Sequence, residues 1–212
     1  MPLSYTFDDN LKHQMTQHLG SFPSQEIKDP ALRLAGVALV VAPASDGSGA
    51  CLLLTRRSSE LRRHAGQFAL PGGRVDEGET FQEAALRELS EELGLHYGPS
   101  TVLGALDDYK TRSGFCIRPF VVWGSSLAEM TPDPIEVATV FQIPLGDLDN
   151  PEIPRLTQGD DPSRPILGTP IRTTGHVVHA PTAALIYQFR EVAMHGRTTR
   201  VAHFEQPQFA WK

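Results

Sequence analysis

The chain is short of the features that mark several protein classes. It has two cysteines in 212 residues, Cys51 and Cys116, both inside apolar stretches (ACLLL and FCIRPF). A secreted scaffold stapled by disulfides would need more, so both thiols are expected to be buried and reduced. Bulk positive charge is also missing. The net charge of −6 argues against a nucleic-acid binder that works through a broad basic field, so nucleic acid is not an expected partner. It also means that a phosphate-bearing ligand needs local arginines or a cation. Long apolar runs are absent too. The longest, AGVALVVA at 35–42, falls far short of the roughly 20 residues that span a membrane, so no membrane association is expected. The opening MPLSYTFDDNLKHQ has no basic start followed by an apolar core, so no signal peptide is expected, and the expected location is the cytoplasm.

A hydrophobic content of 40% with 21% charged residues is that of a folded chain rather than a disordered one. Phe7, Leu11, Met15 and Leu19 recur at helical spacing, so a short amphipathic helix is expected over 7–19. RLAGVALVVAP (33–43) and ACLLLT (50–55) flank the turn-forming ASDGSG and read as a hairpin. QFAL (67–70), FCIRPFVVW (115–123) and EVATVFQI (136–143) read as further strands. Pro119 suggests an edge or a bulge in its strand, because proline cannot donate to a ladder. Five prolines between 149 and 175 suggest a long irregular loop of the kind that forms lids or substrate walls. A helix is expected over 181–196, between Pro181 and Gly196, and a last strand over 200–205. No internal repeat is visible. Strands and helices interspersed in this way point to a layered α/β architecture. The expected division is an N-terminal helical extension over 1–32 and one domain over 33–212.

The octet RELSEELG (87–94) places Glu88, Glu91 and Glu92 at i, i+3 and i+4, where like charges on one helix face repel. The helix has clear ends: Thr80 and Glu83 form a T-x-x-E capping box, and Gly94 stands where a left-handed cap is wanted. Ala85, Leu86, Leu89 and Leu93 form its apolar face. Immediately upstream, PGGRVDEGE carries three glycines between Gly72 and Gly78, which lets backbone approach a ligand. Either feature alone is ordinary. Together they read Gly73, five residues, Glu79, seven residues, then Arg87-Glu88-Leu89-Ser90-Glu91-Glu92-Leu93-Gly94-Leu95. This resembles the Nudix box, G-x5-E-x7-R-E-U-x-E-E-x-G-U with U aliphatic, at every specified position. Chance agreement at ordinary residue usage is about one in 10⁹ starts.

The resemblance implies the Nudix fold, a mixed β-sheet sandwiched between helices (α/β/α). It also implies a hydrolase that cuts a diphosphate with the help of Mg²⁺ or Mn²⁺, hard cations that seek clustered carboxylate oxygens. Carried over by position, Glu88, Glu91 and Glu92 are metal ligands with the Gly73 carbonyl as a further one. Arg87 orients a glutamate by charge-assisted hydrogen bonding, and Glu79 is an outer residue tied to the loop. The proton acceptor for the attacking water stays open between Glu91 and Glu136.

The stretch before the box, LLTRRSSELRRHAGQFALPGG (53–73), resembles the motif of coenzyme A pyrophosphatases, as do TRSGFCIRPFVVW and PDPIEVATVFQIPLGDL. That resemblance implies hydrolysis of coenzyme A or its derivatives to 3′,5′-ADP and 4′-phosphopantetheine. Arg56, Arg57 and Arg62, with Arg63 and His64, form a basic cluster next to the box that suits phosphate. Two positions depart from the motif. Leu70 stands where the family usually has Phe, and HAPTA (179–183) replaces a Trp-Gly before Thr-Ala. The partner is thus expected to be a small nucleoside diphosphate derivative, with ADP-ribose or a dinucleotide as alternative substrates and a regulator without turnover as a further reading. A homodimer is left open. His176 and His179 read as loop residues, because zinc would need more His or Cys nearby.

Overall fold

The computed structural model describes residues 5–60, 65–159, 161 and 163–207. In chain order its elements are α1 (Asp9–Gly20), β1 (Arg33–Pro43), β2 (Ala50–Arg57), β3 (Phe68–Ala69), β4 (Gly72–Arg74), α2 (Phe81–Leu93), β5 (Val102–Ala105), β6 (Tyr109–Lys110), β7 (Phe115–Trp123), β8 (Val137–Pro144), α3 (Leu145–Leu148), β9 (Arg155–Thr157), β10 (Ile166–Ile171), β11 (His176–His179) and α4 (Thr182–Phe189).

β1 lies at the centre of a mixed sheet. It runs parallel to β7 and antiparallel to β2 and β4, while β8 and β3 extend the sheet from β2. A strand covered on both faces reads as a continuous apolar run rather than an alternating one, and AGVALVVA does so. Val37, Leu39 and Val41 enter a core shared with α1 and α4. Ala38, Val40 and Ala42 enter a second core with Leu86, Leu89 and Leu93 of α2. The sheet is therefore layered between helices. Gly36 sets how closely α2 approaches: a Cβ there would sit 2.0 Å from the Phe81 carbonyl oxygen.

α1 forms where the periodicity places it. Asp8 caps it by accepting from the Leu11 N–H at 2.9 Å, and Leu11, Met15 and Leu19 are buried. Phe7 stacks on Trp123 with ring centroids 4.2 Å apart. Both cysteines are buried and free. No described helix is long and apolar enough to cross a membrane.

Four expectations need correction. Pro119 is not on an edge, since β7 lies between β1 on one side and β5 and β6 on the other. Its carbonyl accepts from Leu106 at 3.0 Å, so its nitrogen also faces the bend between β5 and β6, where the ladder is broken anyway. The 149–175 segment is irregular only in part: β9 and β10 within it join β11 in a three-stranded antiparallel sheet, with Pro170 paired to Val177. His176 and His179 are accordingly strand residues rather than loop residues. The 200–205 stretch forms no strand and contributes only a single bridge from Glu205 to Ile166. The helix expected over 181–196, by contrast, forms: it is α4, continued by a π-helical turn over Arg190–Met194 before Gly196 at φ 65°.

Candidate active site

The site grows from a divergence of strands. β1 and β2 pair only at Val41–Pro43 with Ala50–Leu52 and then separate. β3 stays on β2 and β4 stays on β1, so residues 68–74 bridge the gap. Glycine is required here because backbone meets backbone: a Cβ on Gly72 (φ 148°) would lie 2.4 Å from the Gly36 carbonyl oxygen. On the α2 side, a Cβ on Gly73 would lie 2.2 Å from the Glu88 carboxyl carbon. The glycine loop thus lets a carboxylate come down onto the strand.

The capping box holds α2 in place. Thr80 Oγ1 accepts from the Glu83 N–H at 3.2 Å, Glu83 Oε2 accepts from the Thr80 N–H at 2.8 Å, and Gly94 closes the helix at φ 68°. The helical period then divides the acidic residues. Glu92 is only 4% exposed, although the sequence places it on the polar face. Its Oε2 accepts from the Gly72 N–H at 3.3 Å, and its Oε1 lies 3.5 Å from Arg57 Nη1 at the end of β2. Glu88 is half-buried against Gly73. Glu91, with 59% of its side chain exposed, leans outward onto Arg87.

Arg87 ties the loop to the helix. Nη1 donates to Glu88 Oε1 at 3.0 Å and to Glu91 Oε2 at 2.9 Å; Nε and Nη2 donate to the two Glu79 oxygens at 2.9 and 3.1 Å; Nη2 also donates to the Arg74 carbonyl at 2.9 Å. These bonds hold the Glu79 carboxyl below its usual range and raise the Arg87 pKa above its ordinary value.

Glu92 behaves differently. Burial pushes its pKa up to about 7, with the Glu88 and Glu136 charges adding to the rise while Arg57 and the Gly72 N–H oppose it. Burial also raises Glu88, with Glu91 and Glu136 contributing, against the pull of Arg87. Glu136, just before β8, is therefore within electrostatic reach of both, and its carbonyl accepts from the Ser58 N–H at 2.8 Å. Among the described residues, no three His, Cys, Asp or Glu side chains converge as a ready-made metal group. Arg87 holds an oxygen of Glu88 and of Glu91 instead. The donor chemistry still fits a hard divalent cation: carboxylate oxygens, two of them on groups raised by burial and by mutual charge, beside a backbone with no side chain in the way.

The predicted arginines separate. Arg57 faces Glu92. Arg56 is exposed and donates to the Gly66 carbonyl at 3.3 Å, away from the acidic residues. Arg62, with Arg63 and His64, lies outside the described residues. Arg57 also lines a cleft of about 610 Å³ together with Arg33, Arg74, Phe68, Leu70 and Phe115. The two positions that depart from the family motif both reach this cleft, Leu70 directly and the 179–183 stretch through Pro181 and Thr182. Sequence reasoning missed Arg33, Arg74 and Phe115. Arg74 occupies an unspecified position of the box, and Arg33 meets Phe115 only through parallel β1–β7 pairing, which leaves no local signal.

A profile of the NUDIX domain matches residues 33–164 of this chain. An uncharacterized Nudix hydrolase NudL from Pectobacterium atrosepticum is 42% identical over 97 residues, covering 45% of this chain and 50% of that protein. Nudix hydrolase 3 of Caenorhabditis elegans is 33% identical over 150 residues, covering 67% of this chain and 62% of that protein. The chain thus spans between half and somewhat under two thirds of the length of these curated relatives. Among solved structures, a NUDIX hydrolase from Alicyclobacillus acidocaldarius shares the fold at a TM-score of 0.52 and 17% identity, covering 78% of this chain and 93% of that one.

Proposed function

This chain belongs to the NUDIX domain family, and from that premise we propose that it is a metal-dependent pyrophosphohydrolase acting on a nucleoside diphosphate derivative. Coenzyme A or its derivatives is the substrate we favour, cut to 3′,5′-ADP and 4′-phosphopantetheine. The observation that supports this reading is the juxtaposition at β4. Glu88 and Glu92 come down onto Gly72–Gly73, and Arg57 joins Glu92 to a cleft of about 610 Å³. The 53–73 stretch, where the sequence resembles coenzyme A pyrophosphatases, supplies Arg57, Phe68 and Leu70 to that cleft. We also place the protein in the cytoplasm, with residues 1–32 as an extension on the domain of 33–212.

When bound, a divalent cation such as Mg²⁺ or Mn²⁺, held by Glu88, Glu91 and Glu92 with the Gly73 carbonyl, supplies Lewis acidity and charge against the diphosphate. The residues of the chain do the remaining work. Arg87 orients Glu88 and Glu91 through one shared nitrogen. Arg57 presents a guanidinium to a phosphate oxygen. Glu136 accepts the proton of the attacking water; Glu91 is the less favoured base because Arg87 already holds its carboxylate. Positioning and electrostatics carry most of such a reaction, since phosphoryl transfer asks little covalent chemistry of the protein.

The test is to incubate the purified protein and Mg²⁺ or Mn²⁺ with coenzyme A, ADP-ribose and a dinucleoside polyphosphate, and to identify products by mass. Release of 4′-phosphopantetheine supports the reading. Cleavage of the other compounds alone keeps the reaction and replaces the substrate. Binding without cleavage of any of them makes the chain a regulator and overturns the hydrolase.

A further inference from the structure

The cleft carries a charge pattern that the scissile diphosphate does not use up. Among the described residues, Arg33, Arg57 and Arg74 line it and no Asp or Glu does, although the chain as a whole has a net charge of −6. The hollow beside α2, by contrast, is lined by Glu77, Glu79 and Glu83 against the single Arg87. Arg57 is engaged with Glu92. Arg33 and Arg74 stand apart from it and share one aromatic ring: their guanidinium carbons lie 3.9 and 5.5 Å from the Phe115 centroid. Arg33 also donates to the Ser113 carbonyl. Among the described residues, neither makes an ion pair with a carboxylate.

The backbone explains why the two meet. Arg74 pairs with Ala35 across β4 and β1, so Arg33, two residues from Ala35 on the same strand face, is its diagonal neighbour. Phe115 pairs with Arg33 on the other side of β1. Two like charges held this way are unfavourable unless an anion joins them, and paired guanidinium forks match phosphate oxygens well.

We propose that Arg33 and Arg74, seated around Phe115, form a second anion subsite that takes a phosphomonoester carried by the substrate apart from its scissile diphosphate. The chemical class it selects is a nucleotide bearing an additional ribose phosphate. The subsite rests on the proposed function only in placing the scissile group at Arg57 and Gly72–Gly73.

The test is calorimetric binding of adenosine 3′,5′-bisphosphate and of 5′-AMP to the full chain at fixed salt, which needs no turnover. The wild type is expected to prefer the bisphosphate by about ten-fold or more, the worth of one or two charge-assisted hydrogen bonds. Arg33→Gln and Arg74→Gln should each remove most of that preference, and Arg74→Lys should keep part of it. Equal affinity of the wild type for the two nucleotides overturns the subsite, as does a preference that survives both glutamine variants. Cleavage of coenzyme A and dephospho-coenzyme A, assayed in parallel, separates the two ideas. Neither compound cleaved with the nucleotide preference intact sinks the hydrolase and leaves the subsite. Both cleaved with equal KM and no nucleotide preference does the reverse.

Discussion

The two faces of β4 hold opposite charges and hold them in different ways. On the α2 face, Gly73 lies against Glu88, and every acidic residue of the cluster except Glu136 comes from one 13-residue helix or the loop leading into it. On the other face, Arg74 lines a cleft, bordered also by Gly72 and Gly73, whose described arginines come from β1, β2 and β4. Side chains of a strand alternate between faces, so three consecutive residues separate the groups suited to hold a cation from those suited to hold an anion. The acidic face is partly neutralised from within, because Arg87 bonds Glu79, Glu88 and Glu91. The basic face has no such internal partner for Arg33 or Arg74 among the described residues. A reacting face can be built from adjacent residues, whereas a recognising face of this kind depends on the topology of the sheet.

The sharpest way to break this contrast is to neutralise the acidic face at its most buried point. Glu92→Gln is expected to lower kcat by on the order of 10²–10⁴ while leaving substrate affinity nearly intact, the cost typical of losing a main electrostatic or acid–base group. Parent-like turnover in steady-state kinetics would remove Glu92 from the metal site.

The next effect concerns stability. The Glu92 pKa is pushed from 4.5 to about 7 in the metal-free fold, so between those pH values the native state binds more protons than the unfolded chain. Stability therefore falls as pH rises through that window and stays low above it, by at most about 3 kcal/mol. Urea midpoints of the metal-free protein should decrease from pH 5 to pH 8. Added Mg²⁺ should reverse the decrease, and Glu92→Gln should flatten the curve. Parallel pH profiles for parent and variant would show that Glu92 is not the strained group.

On the boundary between the faces, Arg57→Ala is expected to raise KM about ten-fold with a smaller change in kcat, as loss of one charged phosphate contact would. An unchanged KM would assign Arg57 to Glu92 alone. The smallest effect tests the frame. Thr80→Ala removes the hydroxyl that accepts from the Glu83 N–H and should lower stability by about 1 kcal/mol, visible as a lower urea midpoint at unchanged m. A loss of several kcal/mol would mean that the cap also holds the loop.

How much of this was legible follows from range. The helix of the box, its cap at Thr80 and its stop at Gly94 depend on residues three or four apart, and they lie where the pattern puts them. β1 announced its burial on both faces by its unbroken apolar run. Of the described prolines in the 149–175 segment only Pro170 enters a strand, which it can do because proline forbids a ladder hydrogen bond only on the side that its nitrogen faces. Pro119 avoids the edge for the same reason: a gap between β5 and β6, the strands beside β7, accommodates it. The basic cluster was legible only in part. Arg57 reaches the cleft, Arg56 turns to Gly66, and Arg33 and Arg74 carried no signal at all.

By itself the sequence determined the family, the acidic helix and the glycine loop that admits it, because these are contacts within one short stretch of chain. Only the tertiary structure decided that Glu92 is buried rather than solvated, and that arginines from three separate strands line one cleft. The physical reason is that burial and charge pairing between distant segments depend on which strands become neighbours and in what register. No local spacing encodes that choice.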